Sequence, residues 1–122
     1  MLNRRRILIA EDEVLIAFDL AHAVQDAGGE VVGPVDSVRE GLRLLFNKEV
    51  HAAILDVRLV DRDVAPIAAA LLEQGKAVVF HTASPVPDEI VDRFGVPVVC
   101  QKPMPSNQVI TRLARLIGDD EH

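Results

Sequence analysis

Strand-length apolar runs recur along the chain at 7–10, 31–35, 52–55, 77–80 and 96–100, and most of their residues are β-branched. Each run is followed by a stretch with helical spacing of apolar positions: 14–27, 38–48, 65–74, 88–94 and 106–117. Alternation of this kind predicts an α/β fold. Consecutive parallel strands need a crossover, the crossover is right-handed, and the helices then cover both faces of the sheet. The expected architecture is therefore a doubly wound, five-stranded parallel sheet. The chain is 49% hydrophobic but only 3% aromatic, so its core must be built from Val, Ile, Leu and Ala, as in sheets buried on both faces. With 122 residues it has enough chain for one domain with a real core, and too little for two.

The punctuation fits. Gly28-Gly29 and Gly75 stand where the first and third helices should stop, Asp36 or Ser37 where the second needs a cap, and Pro105-Ser106 where the last should open. In that last helix Val109, Leu113, Leu116 and Ile117 form an apolar face suited to packing on a sheet. The fourth helix is the weak element, because Pro85, Pro87 and Pro97 leave it about two turns.

A net charge of -6 disfavours direct contact with nucleic acid. The basic run Arg4-Arg5-Arg6 reads as a solvated leader before the first strand. No stretch approaches the roughly 20 apolar residues of a membrane span, and the N-terminus lacks a signal-peptide pattern, so a cytoplasmic protein is expected. The lone Cys100 fits a reducing compartment and, within an apolar run, reads as a packing residue.

In open parallel sheets, sites form outside the carboxyl ends of the strands. Here those ends carry Glu11-Asp12-Glu13 after the first strand, Asp56 after the third, Thr82 after the fourth and Lys102-Pro103 after the fifth. Converging carboxylates repel by roughly 1 to 4 kcal/mol per pair, so they need a cation. Oxygen-only ligands suit Mg²⁺, whereas zinc would call for thiolates or paired histidines. Beside such an ion Asp56 is placed as a nucleophile toward a phosphoryl group, Lys102 supplies a mobile positive charge, and Thr82 supplies a hydroxyl donor.

Glu11-Asp12, Asp56, Thr82 and Lys102-Pro103, each at a strand end in a chain of this length, resemble the bacterial response-regulator receiver domain over about residues 6–117. The resemblance implies a flavodoxin-like fold with strand order 2-1-3-4-5 and a single receiver domain over 1–122 without an output domain. It implies Asp56 as the phosphoacceptor, and Mg²⁺ held by Glu11, Asp12, Asp56 and the Arg58 backbone carbonyl. Thr82 and Lys102 would contact the phosphoryl group, while Arg58 and Ser84 would tune phosphate lifetime. Proline permits a cis Lys102-Pro103 bond. The implied donor is a phosphohistidine on a sensor histidine kinase or a histidine phosphotransfer protein, and the implied output is binding of another protein or onward phosphotransfer. Two features depart from the usual pattern: Val99 stands where receivers often carry an aromatic residue, and the fourth helix is short. With the segment Phe80-His81-Thr82-Ala83-Ser84, they resemble a divergent group of single-domain receivers.

Taken singly, these residues have plainer readings. The acidic triplet suits a helix N-terminus, Asp56 a turn, Thr82 a strand end and Lys102 a solvated loop; their joint placement at strand ends favours the site. His22, His51, His81 and His122 form no ligand motif and read as structural or surface residues. Other functions of the same fold also have tests in the sequence. A phosphate-independent adaptor would fit the absence of an aromatic residue at Val99. A phosphatase would need a second carboxylate near Asp56, where Arg58 stands. A flavin module would need a phosphate-cradling loop where Glu11-Asp12-Glu13 would repel phosphate.

Overall fold

The structure, a computed structural model, describes residues 1–120, so His122 lies outside the described residues. Its elements alternate without exception: β1 (Arg6–Ala10), α1 (Val14–Asp26), β2 (Glu30–Val35), α2 (Val38–Asn47), β3 (Ala52–Leu55), α3 (Ala65–Glu73), β4 (Ala77–Thr82), α4 (Asp88–Phe94), β5 (Val98–Gln101) and α5 (Ser106–Asp120). All strand pairs are parallel, in the order β2-β1-β3-β4-β5, which is the expected flavodoxin-like arrangement.

The two-residue period of the strands divides the core in two. Ile7, Ile9, Ala52, Ile54, Ala77 and Val79 face α1 and α5, where Leu20, Val24, Val109 and Leu113 meet them. Leu8, Ala10, Ala53, Leu55, Val78 and Phe80 face α2 and α3 and are joined by Ile67 and Leu71. The short α4 contributes one buried residue, Ile90.

Helix ends follow local chemistry. Ser37 Oγ accepts from the Glu40 N–H at 3.1 Å and caps α2. Gly28 and Gly75, at φ of 84° and 72°, carry the chain out of α1 and α3 in the left-handed region that L side chains avoid. Two expectations are revised. β5 starts at Val98 rather than at 96, because Pro97 has no N–H for the ladder and Val96 is solvent-exposed. The basic leader is also less free than its charge suggested: Arg6 opens β1 and pairs with Glu30 at 3.2 Å, and Leu2 is fully buried beside Gly29. The Gly33-Pro34 and Lys102-Pro103 bonds are both cis. Among the described residues no helix is long and apolar enough to cross a membrane.

Ile54 lies in the central strand and is 1% exposed. Truncating it to alanine should lower unfolding stability by about 2–5 kcal/mol in urea titrations, and a loss below about 1 kcal/mol would contradict this packing.

Candidate functional site

Every strand-end residue singled out from the sequence lies at the carboxyl edge of the sheet, and the backbone ladder runs one bond past the strands to hold three of them. The Glu11 N–H donates to the Val35 carbonyl at 2.9 Å, the Asp56 N–H to Ala10 at 2.8 Å, and the Lys102 N–H to Thr82 at 3.0 Å. These side chains are therefore mounted on the rigid part of the fold.

Glu11, Asp12, Glu13 and Asp56 each place a carboxylate oxygen within 4.8 Å of the others. Glu11 and Asp56 are buried, and Asp12 and Glu13 are exposed. Lys102 Nζ stands among them, 2.9 Å from Asp56 Oδ2, 2.9 Å from Glu11 Oε1 and 2.8 Å from Glu13 Oε2. The contact with Glu11 Oε1 is short but poorly directed, and leaves that buried oxygen without a well-formed hydrogen bond.

Burial pushes the Glu11 carboxyl up to about 8; Lys102 opposes the rise and Asp56 adds to it. Burial also works to raise Asp56, but hydrogen bonds from Glu11 and Lys102, the Lys102 charge and the Thr82 hydroxyl outweigh it and hold Asp56 below its ordinary value. Lys102 is raised: burial opposes its charge, and its bonds to Glu13, Glu11 and Asp56 more than compensate. At neutral pH Asp56 is thus ionised while Glu11 carries a proton. A buried carboxyl that keeps a proton, beside an under-bonded oxygen, marks a cluster short of positive charge. An oxygen-only set of this kind fits Mg²⁺.

The loop after Asp56 is pinned. The Val57 N–H donates to Asp56 Oδ1 at 2.7 Å, Val64 N–H to the Val57 carbonyl at 2.8 Å, and Val60 N–H to the Asp36 carbonyl at 2.9 Å. Asp61 accepts from the Val38 and Arg39 N–H groups at 2.8 and 3.0 Å, tying the loop to the start of α2. Arg58, whose backbone bridges to Asp63, lines a cleft of about 650 Å³ together with Asp12, Asp56, Lys102, Ser84 and His81. Thr82 Oγ1 accepts from the Ser84 N–H at 3.0 Å.

Two site residues escaped the sequence reading. Glu13 was visible only as part of an acidic triplet, yet it binds Lys102. His81, which the sequence reads as a structural or surface residue, is buried, and it also borders the cleft. Its position two residues after Val79 in a strand was the available signal.

No family model matches the chain. Over 59 residues it is 41% identical to the transcriptional regulatory protein PdtaR of Mycobacterium tuberculosis; the match covers 48% of this chain and 29% of that protein, well under a third of its length. The solution structure of SdrG from Sphingomonas melonis is 35% identical with a TM-score of 0.77, covering 96% of this chain and 99% of that one. A response regulator receiver protein from Sinorhizobium medicae is 25% identical with a TM-score of 0.78, covering 98% and 99%. A CheY-like receiver domain protein from Methanospirillum hungatei shares the fold with a TM-score of 0.83 at 21% identity, covering 96% of each chain.

The proton on Glu11 has a thermodynamic consequence. Unfolded, this carboxyl ionises near 4.5; folded, it holds its proton to about 8, so folding takes up a proton in between and stability falls as pH rises. His81, lowered from 6.5 by burial and by Lys102, acts in the opposite direction but only below 6.5. The contribution of Asp56 is lost only as pH falls below 3.8, and that of Lys102 is fully present below 10.5. In chelator, urea unfolding should therefore show stability falling by about 1–2 kcal/mol from pH 6.5 to 8. Glu11→Gln should flatten the slope, and a flat wild-type profile would rule out a protonated Glu11.

Proposed function

The chain belongs to the response-regulator receiver family, and from that premise we propose that Asp56 accepts a phosphoryl group from a phosphohistidine in a Mg²⁺-dependent reaction. The observation that carries this reading is an ionised, buried Asp56 with Lys102 Nζ at 2.9 Å from Oδ2. The Asp56 carboxylate attacks phosphorus, the bond from phosphorus to the donor imidazole breaks, and the imidazole leaves. Lys102 can release the exposed Glu13 and follow a phosphoryl oxygen, and the Thr82 hydroxyl can donate to another. Glu11, Asp12, Asp56 and the Arg58 carbonyl would hold Mg²⁺, which when bound neutralises the crowded oxygens. Arg58 and Ser84 flank the cleft and would set how readily water reaches the phosphate.

Incubation with Mg²⁺ and a small phosphodonor should add one phosphate by intact mass, and Asp56→Asn or chelation should abolish it. A wild type that stays unlabelled would refute the reading.

The donor itself would be a sensor histidine kinase or a histidine phosphotransfer protein, meeting this chain in the cytoplasm where ATP supplies the phosphate. Val14, Leu15 and Phe18 on α1 are 65%, 80% and 66% exposed, and Val14 directly follows the acidic triplet. Apolar exposure of this size beside a site suits a protein partner. Leu15→Asp should slow transfer from a protein donor by about tenfold or more while leaving labelling by a small phosphodonor unchanged. Equal loss with both donors would count against this surface.

A second reading draws on Val99, which is 36% exposed and offers no ring to report phosphorylation. A phosphate-independent adaptor of the same fold would bind its output partner equally with and without phosphate on Asp56. A switch would not.

A further inference from the structure

His81 is 3% exposed, and neither of its ring nitrogens has a hydrogen-bond partner. The other described histidines are engaged: His51 accepts from the Arg6 N–H and meets Glu49, and His22 lies 3.7 Å from Asp26. A buried polar group without a partner is rare enough to call for a water, an ion or a chemical role.

The surroundings of His81 select among these. In the parallel pairing of β4 with β5, His81 is the register partner of Cys100. Adjacent strands lie about 4.8 Å apart, and paired residues project from the same face. That face is the one covered by α1 and α5: Val79, two residues before His81, shares a core cluster with Cys100, Val109 and Leu113. Cys100 is a free, fully buried thiol. Met104 packs against the same cluster and, with His81, lines the cleft that opens to solvent.

We propose that His81 and Cys100, with Met104 beside them, form a binding site for copper(I). Thiolate and thioether ligands select this soft ion, and imidazole suits it as well. Charge points the same way. One thiolate cancels one monovalent cation, so the filled site is neutral beside the Lys102 ammonium that already bears on His81, whereas a divalent ion would leave a net positive charge facing that ammonium. The carboxylates that might balance that charge, on Glu11, Glu13 and Asp56, are already gathered around Lys102. Binding forms a copper–sulfur bond and a copper–nitrogen bond, the Cys100 S–H proton leaves to solvent, and the oxidation state of the metal does not change. Burial raises the Cys100 thiol, so the empty site holds the neutral S–H form and binding is accompanied by release of that proton. His81 and Met104 border the cleft that also holds Asp56, but the copper ligands are soft sulfur and nitrogen donors distinct from its carboxylates, and copper(I) binding does not require phosphorylation.

Anaerobic titration of the full chain against copper(I) buffered by bicinchoninate tests it. The protein should withdraw one equivalent, and Cys100→Ala and His81→Phe should each weaken uptake by at least the about 10–100-fold that losing even a supporting contact costs a metal site. His22→Gln should change nothing. Because core variants can unfold, the wild type supplies a second readout: its ring-nitrogen NMR resonances should shift at His81 and stay in place at His22 and His51 on adding copper(I). No withdrawal of copper, undiminished uptake by a folded Cys100→Ala variant, or preference for Zn²⁺ would each overturn the proposal. So would shifts confined to His22 and His51, which would leave a buried water as the partner of His81.

Discussion

Carboxylates gathered at one sheet edge repel one another, and the carboxyl edge of this protein depends on the single ammonium that answers them. Lys102 meets Glu11, Glu13 and Asp56 at 2.8–2.9 Å, and its backbone is locked to Thr82. Burial makes Glu11 costly to ionise, and the one ammonium does not offset it, so Glu11 keeps a proton while Asp56 stays ionised. That division has a use. In the proposed phosphoryl transfer the ionised group is the one that would act as nucleophile, and Mg²⁺ would take the place of the proton on Glu11. Of the three carboxyl groups that meet Lys102, Glu13 is the exposed one, so giving it up would cost little and would free the ammonium for a phosphoryl oxygen in the proposed reaction.

The parallel sheet makes this arrangement possible. Parallel strands all end at the same edge, so residues from 11 to 102 in sequence meet without any long loop having to fold over a site. The one extended connection at the site, after Asp56, is fastened to its surroundings through Val57, Val60, Asp61 and Val64. The site therefore sits on a rigid platform.

Much of this was legible in the sequence because it rests on local patterns. Strand-length apolar runs, helical spacing and the glycines at 28 and 75 delimit the elements to within three residues, and the strand-end residues identify the edge where the candidate site lies. What escaped depends on tertiary placement. That Asp61 would cap a helix beginning at Val38 is invisible from a turn-rich loop sequence, because its partners lie 22 and 23 residues away. The ion pair of Glu13 with Lys102 spans 89 residues. His81 was hidden for a different reason. Its polarity ends the apolar run at Phe80, although the two-residue period continues through Ala77, Val79 and His81, and only the register of β4 with β5 sets it against Cys100.

The same register bears on how an event at Asp56 reaches the surface. Thr82 lies on the face of β4 shared by Val78 and Phe80, and Phe80 is paired in register with Val99. A shift of the Thr82 hydroxyl toward a phosphoryl group would therefore act on the face of Phe80, where Ile67 and Leu71 of α3 and Ile90 of α4 pack, not on the face of His81. On that side α4 has only seven residues and a single buried anchor, Ile90, which belongs to the same cluster as Phe80. An element held by so few buried contacts opens at low free energy. If Asp56 is phosphorylated as proposed, displacements around Phe80 would bear on α4 through Ile90, with no aromatic side chain needed at Val99 to carry the signal. In that reading the short α4 and the valine at 99 fit together, because the helix and not a side chain of β5 would be the part that moves.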